Sequence, residues 1–185
     1  MRATPILVKP SKIRGYRPLS ASTRVWLEPR VVPIYWDAHF KSQPLDVTVF
    51  DEFLRTLFRS SWMTELGRQG VLPARLLPSF VPRRAPNARL GRLDPRDPVR
   101  EWEASGRFTP LPQSAELFHL IVAPSPPKAA EPVTLDRCVM VPLVAPGPRL
   151  LELHSLALSR ALADAFLRAA RAASGGASLA LVRTS

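Results

Sequence analysis

Short runs of apolar residues, each bounded by proline or polar positions, predict buried β-strands. Val31 to Trp36 is rich in β-branched and aromatic side chains, and its Pro33 predicts a place at a sheet edge or a bulge. Leu117 to Ala123 and Cys138 to Val144 are apolar almost throughout and predict two further strands. The run from Ser178 to Val182 predicts a last strand near the end of the chain.

Other segments repeat their apolar residues every three or four positions, which predicts amphipathic helices. The first helix is predicted from Asp46 to Arg68, with Asp46 or Thr48 capping its start and Gly67 and Gly70 stopping it. Its predicted apolar face consists of Val49, Phe53, Leu54, Leu57, Phe58 and Trp62.

The segment from Leu150 to Ala173 contains neither proline nor glycine and predicts the longest helix. Gly175 and Gly176 are expected to end it. Its apolar side is predicted to contain Leu151, Leu158, Leu162, Phe166 and Ala169, and its polar stripe Arg160, Asp164, Arg168 and Arg171. Charges four residues apart along this stripe favour ion pairs.

Strands mixed with two substantial helices predict one α/β domain, with α+β as the alternative. The 21 prolines are spread through the chain and exclude a long coiled coil or a plain helix bundle. Residues 1–30 are expected to form an extended basic arm in front of a domain at 31–185. Within that domain, residues 72–98 predict a long Pro/Arg-rich loop with at most one edge strand, and a short helix is expected from Val99 to Ser105.

Charge is concentrated in the two proline-rich segments. The formal net charge is +11. Residues 1–30 hold seven basic and one acidic residue, and residues 75–100 hold seven and two, whereas residues 31–74 and 101–185 are close to neutral. Basic arms on a neutral body suit an acidic protein surface, a nucleic acid or an anionic membrane. GC-rich coding sequence would produce the same excess of arginine over lysine, 22 to 4.

The candidate contacts to a polyanion are the basic residues of these two segments. They are Arg2, Lys9, Lys12, Arg14, Arg17, Arg24, Arg83, Arg84, Arg89 and Arg92. Aromatic residues flank them sparsely, which gives base stacking little support.

Recognisable catalytic motifs are scarce. The sequence has no glycine-rich phosphate loop, no GxSxG and no HExxH. His39, His119 and His154 lie far apart in sequence, and His119 alternates with apolar residues as a core or edge residue would. The acidic pairs Asp51–Glu52 and Glu101–Glu103 are better explained as solvated helix faces. The single cysteine, Cys138, excludes an internal disulfide and is interpreted as a small buried residue.

The order of segments resembles the exordium or phosphate-induced protein family, whose members are similar to zinc metallopeptidases. The resemblance rests on VVPIYWD (31–37), FDEFLRTLFRSSWMTELGRQGV (50–71), DPVREWEASGRFTPLPQSAELFHLIVAPSP (97–126) and LHSLALSRALADA (153–165). It implies a zincin-like domain with a mixed sheet packed on two main helices, and a last helix that carries S-H-E-L-x-E in the family.

At that motif the chain departs from the family. It has Ser159, Arg160, Ala161, Leu162, Ala163 and Asp164, so a cation replaces the histidine ligand and a methyl group replaces the general base. The resemblance therefore implies a degenerate former metal site at Arg160, Ala161 and Asp164, with no catalytic residue, no metal ligand and no cofactor. We expect purified protein to contain no stoichiometric zinc and to show no peptidase activity.

Two classes of function follow from the sequence. The first is a non-catalytic binding or structural subunit on a metallopeptidase-like scaffold, whose basic arms engage an acidic protein surface or a larger assembly. The alternative is a nucleic-acid-associated protein, such as a peripheral ribonucleoprotein component. No apolar run reaches the roughly 20 residues of a membrane span. The sequence therefore favours a cytoplasmic location and leaves organellar import or secretion of a processed form open.

Overall fold

The computed structural model describes residues 26–84, 94–106, 115–124, 133–135, 137–143 and 150–183. Five strands and five helices lie in these ranges. The strands are β1 (Glu28–Tyr35), β2 (Arg75–Leu76), β3 (Ala115–Pro124), β4 (Val133–Leu135) and β5 (Cys138–Leu143). The helices are α1 (Ala38–Ser42), α2 (Pro44–Phe58), α3 (Ser61–Gly67), α4 (Arg96–Ala104) and α5 (Leu150–Arg183).

The strands form one sheet in the order β2-β1-β3-β5-β4. Strands β2, β1, β3 and β5 are parallel, and β4 pairs antiparallel with β5 at one edge. A largely parallel sheet with helices packed against it confirms the predicted α/β class. The predicted strands at 31–36, 117–123 and 138–144 are all present, with β1 beginning three residues earlier than expected.

The two faces of the sheet are covered differently. On one face, which we call the helix-backed face, Val31, Phe118 and Val139 pack against α2, α3 and α5 in the larger cluster of buried residues. On the other, which we call the α4 face, Val32 and Ile121 pack against α4 and Phe80 in a smaller cluster. Because alternate residues of a strand point to opposite faces, the continuous apolar runs of β1 and β3 supply both clusters.

Pro33 lies in a strand that is paired on both sides. A backbone N–H at this position would point toward β2. On that side, Pro33 lies between the Val31–Leu76 pair and the isolated bridge of Ile34 with Phe80. The backbone N–H of Phe80 donates to the Pro33 carbonyl at 2.8 Å. The proline therefore lies where the pairing is interrupted, which is the local reason that β1 tolerates it.

Two helices, α2 and α3, occupy the segment predicted as one helix from Asp46 to Arg68. A short helix, α1, precedes them. Ser60 separates α2 from α3, since its hydroxyl donates to the Leu57 carbonyl at 2.7 Å and accepts from the Trp62 N–H at 3.2 Å. The predicted caps Asp46 and Thr48 are wrong, because α2 begins at Pro44. Proline is favoured in the first helical turn, where its missing N–H costs no helical hydrogen bond.

The apolar face of α2 also differs by one residue from the prediction. Val49 is 50% exposed, and Phe50 is buried in its place. The buried positions then follow the three and four residue spacing of one helix face: Phe50, Phe53, Leu54, Leu57 and Phe58. As predicted, the α3 segment ends at Gly67, and Gly70 adopts a φ of 90° that favours glycine.

The predicted last strand from Ser178 to Val182 is wrong. Helix α5 passes through Gly175 and Gly176 and continues to Arg183. A glycine costs a helix about 1 kcal/mol relative to alanine, which does not by itself end it. A five-residue apolar run also does not distinguish strand from helix by periodicity. Helix α4 is present where expected, begins at Arg96 instead of Val99, and is followed by Gly106 at a φ of 71°.

Within the described ranges, no helix combines the length and the hydropathy needed to cross a bilayer.

Candidate functional site

Of the three positions matched to the family motif, Arg160 and Asp164 lie one turn apart on the same side of α5, and Ala161 faces the core. Arg160 is exposed, whereas the Ala161 methyl group is buried in the core of the helix-backed face. Asp164 forms an ion pair with Arg168, one turn further along the helix, with 2.5 Å between Oδ2 and Nη2. The carboxylate that the resemblance places near a metal is therefore engaged by a cation.

The histidines do not converge. His39 Nε2 lies 2.5 Å from Asp46 Oδ2, which joins α1 to α2. His119 lies on β3, and His154 lies near the start of α5. Among the residues that the structure describes, no three or more His, Cys, Asp or Glu side chains group in a way that could hold a metal ion.

His119 is a core residue, as its alternation with apolar neighbours predicts. It is 8% exposed on the α4 face, with the Trp102 ring edge-on at a centroid distance of 5.1 Å. Its Nδ1 lies 4.0 Å from the sulfur of Cys138 on the adjacent strand. Burial lowers the pKa of His119 to about 4, so the imidazole is neutral at pH 7. Cys138, predicted to be buried, is half-buried.

Two of the ten candidate polyanion contacts, Arg83 and Arg84, lie within the described residues. Arg83 and Arg84 follow the segment that runs along β1, and both are exposed. The other eight, Arg2, Lys9, Lys12, Arg14, Arg17, Arg24, Arg89 and Arg92, lie outside the described residues.

The segment that leads to Arg83 and Arg84 is held along β1. The Phe80 N–H donates to the Pro33 carbonyl, and the Tyr35 N–H donates to the Phe80 carbonyl at 2.9 Å. One residue earlier, the Ser79 hydroxyl donates to Asp51 Oδ2 at 2.9 Å. Asp51 Oδ1 accepts from the Tyr35 hydroxyl at 2.8 Å, and burial raises the pKa of that phenol well above its usual range. These bonds tie the segment to both β1 and α2.

Three elements then fix the backbone of the two arginines. The indole Nε1 of Trp36, directly after β1, donates to the Arg84 carbonyl at 3.0 Å. Lys41 Nζ, on α1, donates to the Arg83 carbonyl. Glu101 Oε1, on α4, accepts from the backbone N–H of Arg83. Both carbonyls and the Arg83 N–H are thus bonded to the protein, and the two arginine side chains are exposed.

We call Lys41, Arg83 and Arg84 the basic rim. It lies beyond the carboxyl end of β1, the edge of a parallel sheet where α/β proteins commonly bind ligands. Neither guanidinium group of the rim has an ion-pair partner in the described part of the chain. Glu101, the carboxylate that reaches this segment, engages backbone instead of side chain.

Five arginines elsewhere in the described ranges are paired with a neighbouring carboxylate. The ion pairs are Arg55–Glu52, Arg68–Glu65, Arg75–Glu28, Arg137–Glu116 and Arg168–Asp164. Sequence analysis identified Arg83 and Arg84 through local charge density alone. It missed Lys41, Trp36 and Glu101, because their contacts to the rim join residues that lie 42, 48 and 18 positions apart.

No protein-family model matches this chain, and no curated protein or solved structure matches it significantly.

Proposed function

We propose that this protein is a non-catalytic binding or structural subunit that engages an acidic protein surface through its basic residues. The observation that carries the proposal is the basic rim, in which the backbone of Arg83 and Arg84 is pinned by Trp36 and Glu101 while both guanidinium groups are unpaired among the described residues. A guanidinium held by a fixed backbone loses less freedom when it binds a carboxylate than one on a mobile segment.

The scaffold in this proposal is metallopeptidase-like. In support, a strand, a helical segment, a second long strand and a final long helix occur at β1, α2, β3 and α5, in the order that the family resemblance implies. The sheet is mixed and has α2 and α5 on one face, which adds support for this scaffold.

The residues at the former motif do not fit a zinc ion. Zinc needs imidazole, thiolate or carboxylate donors arranged around one point. Arg160 is a cation directed to solvent, Ala161 has no donor atom, and Asp164 is paired with Arg168. For this reason the proposal assigns no reaction to the domain and places its activity in binding.

An acidic protein is favoured over a nucleic acid by the surroundings of the rim. Single-stranded nucleic acids are held by aromatic rings that stack on bases as well as by cations. Trp36, the aromatic residue in contact with the rim, is 6% exposed and its N–H is already bonded to Arg84. The exposed Trp26 precedes β1 and so belongs to the opposite edge of the sheet.

The test is a comparison of three ligands of equal length on the full chain: a glutamate-rich peptide, a glutamine-rich peptide and a single-stranded RNA. We expect the glutamate-rich peptide to bind, to weaken as salt increases, and to bind far more tightly than its neutral counterpart. Tighter binding of the RNA, with a salt slope that falls by about 1.4 in an Arg83→Gln/Arg84→Gln variant, at about 0.7 for each lost phosphate contact, would favour the nucleic-acid function instead.

A further inference from the structure

Two arginines lie next to each other on the α4 face, near the amino ends of the strands. Arg30 of β1 and Arg75 of β2 are register partners in a parallel pair, so their side chains leave the same face of the sheet. That face is the α4 face, because Val32, two residues after Arg30, belongs to its cluster. Like charges on neighbouring strands repel each other, so the pair is unfavourable unless it is neutralised.

One of the two arginines has a counterion. Arg75 Nε lies 2.8 Å from Glu28 Oε1, and Glu28 shares the α4 face because it lies two positions before Arg30. Arg30 is half-buried, and within the described ranges no carboxylate is paired with it. Two arginines and one glutamate therefore leave one positive charge without a counterion, and that charge is on Arg30.

Partial burial increases the attraction of this guanidinium for an anion. The Nε of Arg30 is buried and has no hydrogen-bond partner, so water solvates the group incompletely. A cation in such surroundings attracts an anion more strongly than it does in bulk water. The terminal nitrogens Nη1 and Nη2 are not among the buried atoms that lack a partner, and no hydrogen bond includes them, so they are open to a ligand.

Half-buried apolar side chains flank Arg30. Leu117 of β3 is its register partner on the other side, and Leu77 follows Arg75 by two positions and so lies on the same face. Both leucines pack at the margin of the smaller apolar cluster. Trp102 of α4 covers the next position of β3 on this face, His119, with a ring centroid distance of 5.1 Å. The surface beside Arg30 thus combines one unneutralised cation with exposed parts of two leucines.

We propose that Arg30 binds the carboxylate of an apolar carboxylic acid, whose hydrocarbon part lies on Leu117 and Leu77. A guanidinium holds a carboxylate through two parallel N–H···O bonds. A single negative charge neutralises the group of Arg30, Arg75 and Glu28, whereas a phosphate dianion would leave it negative. This site lies near the amino end of β1, separate from the basic rim beyond the carboxyl end, and it goes beyond the proposed function.

Four probes test the proposal on the full chain at constant ionic strength: hexanoate, hexanamide, acetate and inorganic phosphate. The amide lacks the charge, and acetate lacks the hydrocarbon chain. Binding is followed by the NMR shifts of leucine methyl groups. Hexanoate is expected to shift the signals of Leu77 and Leu117 and to bind about tenfold more tightly than each of the other three probes.

Variants locate the site. Arg30→Gln is expected to weaken hexanoate binding about tenfold. Arg100→Gln removes the same charge from an exposed position of α4 and is the matched control, expected to leave binding unchanged. The rim variant Arg83→Gln/Arg84→Gln should also bind hexanoate as wild type does. Circular dichroism verifies that each variant is folded.

Arg30→Met separates a binding role from a structural one. Methionine keeps the length of the side chain and removes both the repulsion by Arg75 and the buried unpartnered N–H. Without ligand, Tm should rise by about 2–4 °C, and hexanoate should no longer increase it. A lower Tm would contradict the proposal, because the arginine would then serve the fold.

The binding experiments have their own contradicting results. Equal binding of hexanoate and hexanamide, tighter binding of phosphate than of hexanoate, or unchanged hexanoate binding in folded Arg30→Gln protein would each overturn the proposal. None of these results bears on the binding of an acidic peptide at the basic rim, so the two proposals fail separately.

Discussion

The two faces of the sheet differ in what their covering elements do. The helix-backed face is covered by α2, α3 and α5 through a large apolar cluster centred on Phe118 and Phe166. The α4 face has a smaller apolar cluster, but two of the three side chains that hold the backbone of Arg83 and Arg84 come from this face. They are Trp36, a member of that cluster, and Glu101 on α4. We infer that the first face supplies most of the stability of the domain and that the second positions the surface through which it binds.

The largest expected effect tests the role of the helix-backed face. Phe166 on α5 contacts Phe58, Trp62 and Phe118, with ring centroids 6.4, 6.5 and 4.9 Å away. Replacing a buried phenylalanine with alanine costs about 3–5 kcal/mol, so Phe166→Ala should lower the free energy of unfolding by that amount in urea denaturation. A loss below about 1 kcal/mol would show that this cluster does not dominate stability.

The second effect comes from the α4 face and depends on pH. Because burial lowers the pKa of His119 to about 4, the folded state stays neutral while the unfolded state, with a pKa near 6.5, takes up a proton as the pH falls. Stability is therefore complete above about pH 6.5 and declines toward pH 4, by about 3 kcal/mol for this group.

The measurement is denaturant unfolding at several pH values in this window. His119→Gln should remove this part of the pH dependence, since glutamine does not titrate. An identical pH profile in the variant would show that the imidazole is not held neutral in the folded protein.

A smaller effect separates stability from binding on the α4 face. Trp36→Phe keeps an aromatic ring in the core but removes the N–H that holds the Arg84 carbonyl. A single hydrogen bond contributes about 1 kcal/mol, so the variant should remain folded and lose about that much stability. Its affinity for a glutamate-rich peptide should fall as the rim loses one of its anchors.

Trp26→Phe is the control for that experiment, because Trp26 is 52% exposed and precedes the sheet. Peptide affinity that falls equally in both variants would argue that the Trp36 bond does not position Arg84.

The smallest expected effect concerns the ion pair between Asp164 and Arg168. Asp164 and Arg168 are four residues apart on α5, and the arginine is 62% exposed. Pairs of this kind contribute about 0.3–0.5 kcal/mol, so Asp164→Asn should change the free energy of unfolding by no more than that. A loss of several kcal/mol would show that Asp164 stabilises the domain through more than its pair with Arg168.

The strands β1, β3 and β5 were predictable because the central strands of a parallel sheet are apolar on both faces and form unbroken apolar runs, as β1 and β3 do. The short strand β4 was not predicted, and the predicted strand at 178–182 is helical. The boundaries of the helices were harder to predict from the sequence. Ser60 divides α2 from α3 through hydrogen bonds of its own hydroxyl, and Gly175 and Gly176 do not end α5. The spacing of apolar residues indicates neither effect, because both depend on the local hydrogen bonds that form in the folded chain.

The candidate site was predictable only in part, for a related reason. Charge density in the sequence identified Arg83 and Arg84, but Trp36 and Lys41 reach them only after β1 and the following segment come together.

The most direct test compares two double variants that remove the same charge from the full chain. Arg83→Gln/Arg84→Gln removes two cations of the basic rim, and Arg59→Gln/Arg160→Gln removes two exposed arginines outside it. Both should retain wild-type stability within about 0.5 kcal/mol. If the rim binds the acidic partner, the first variant should bind a glutamate-rich peptide about tenfold more weakly than wild type, at about 0.7 kcal/mol for each exposed ion pair, and the second should bind nearly as well as wild type. Equal losses in the two variants would contradict the proposal, because binding would then follow net charge instead of the pinned arginines.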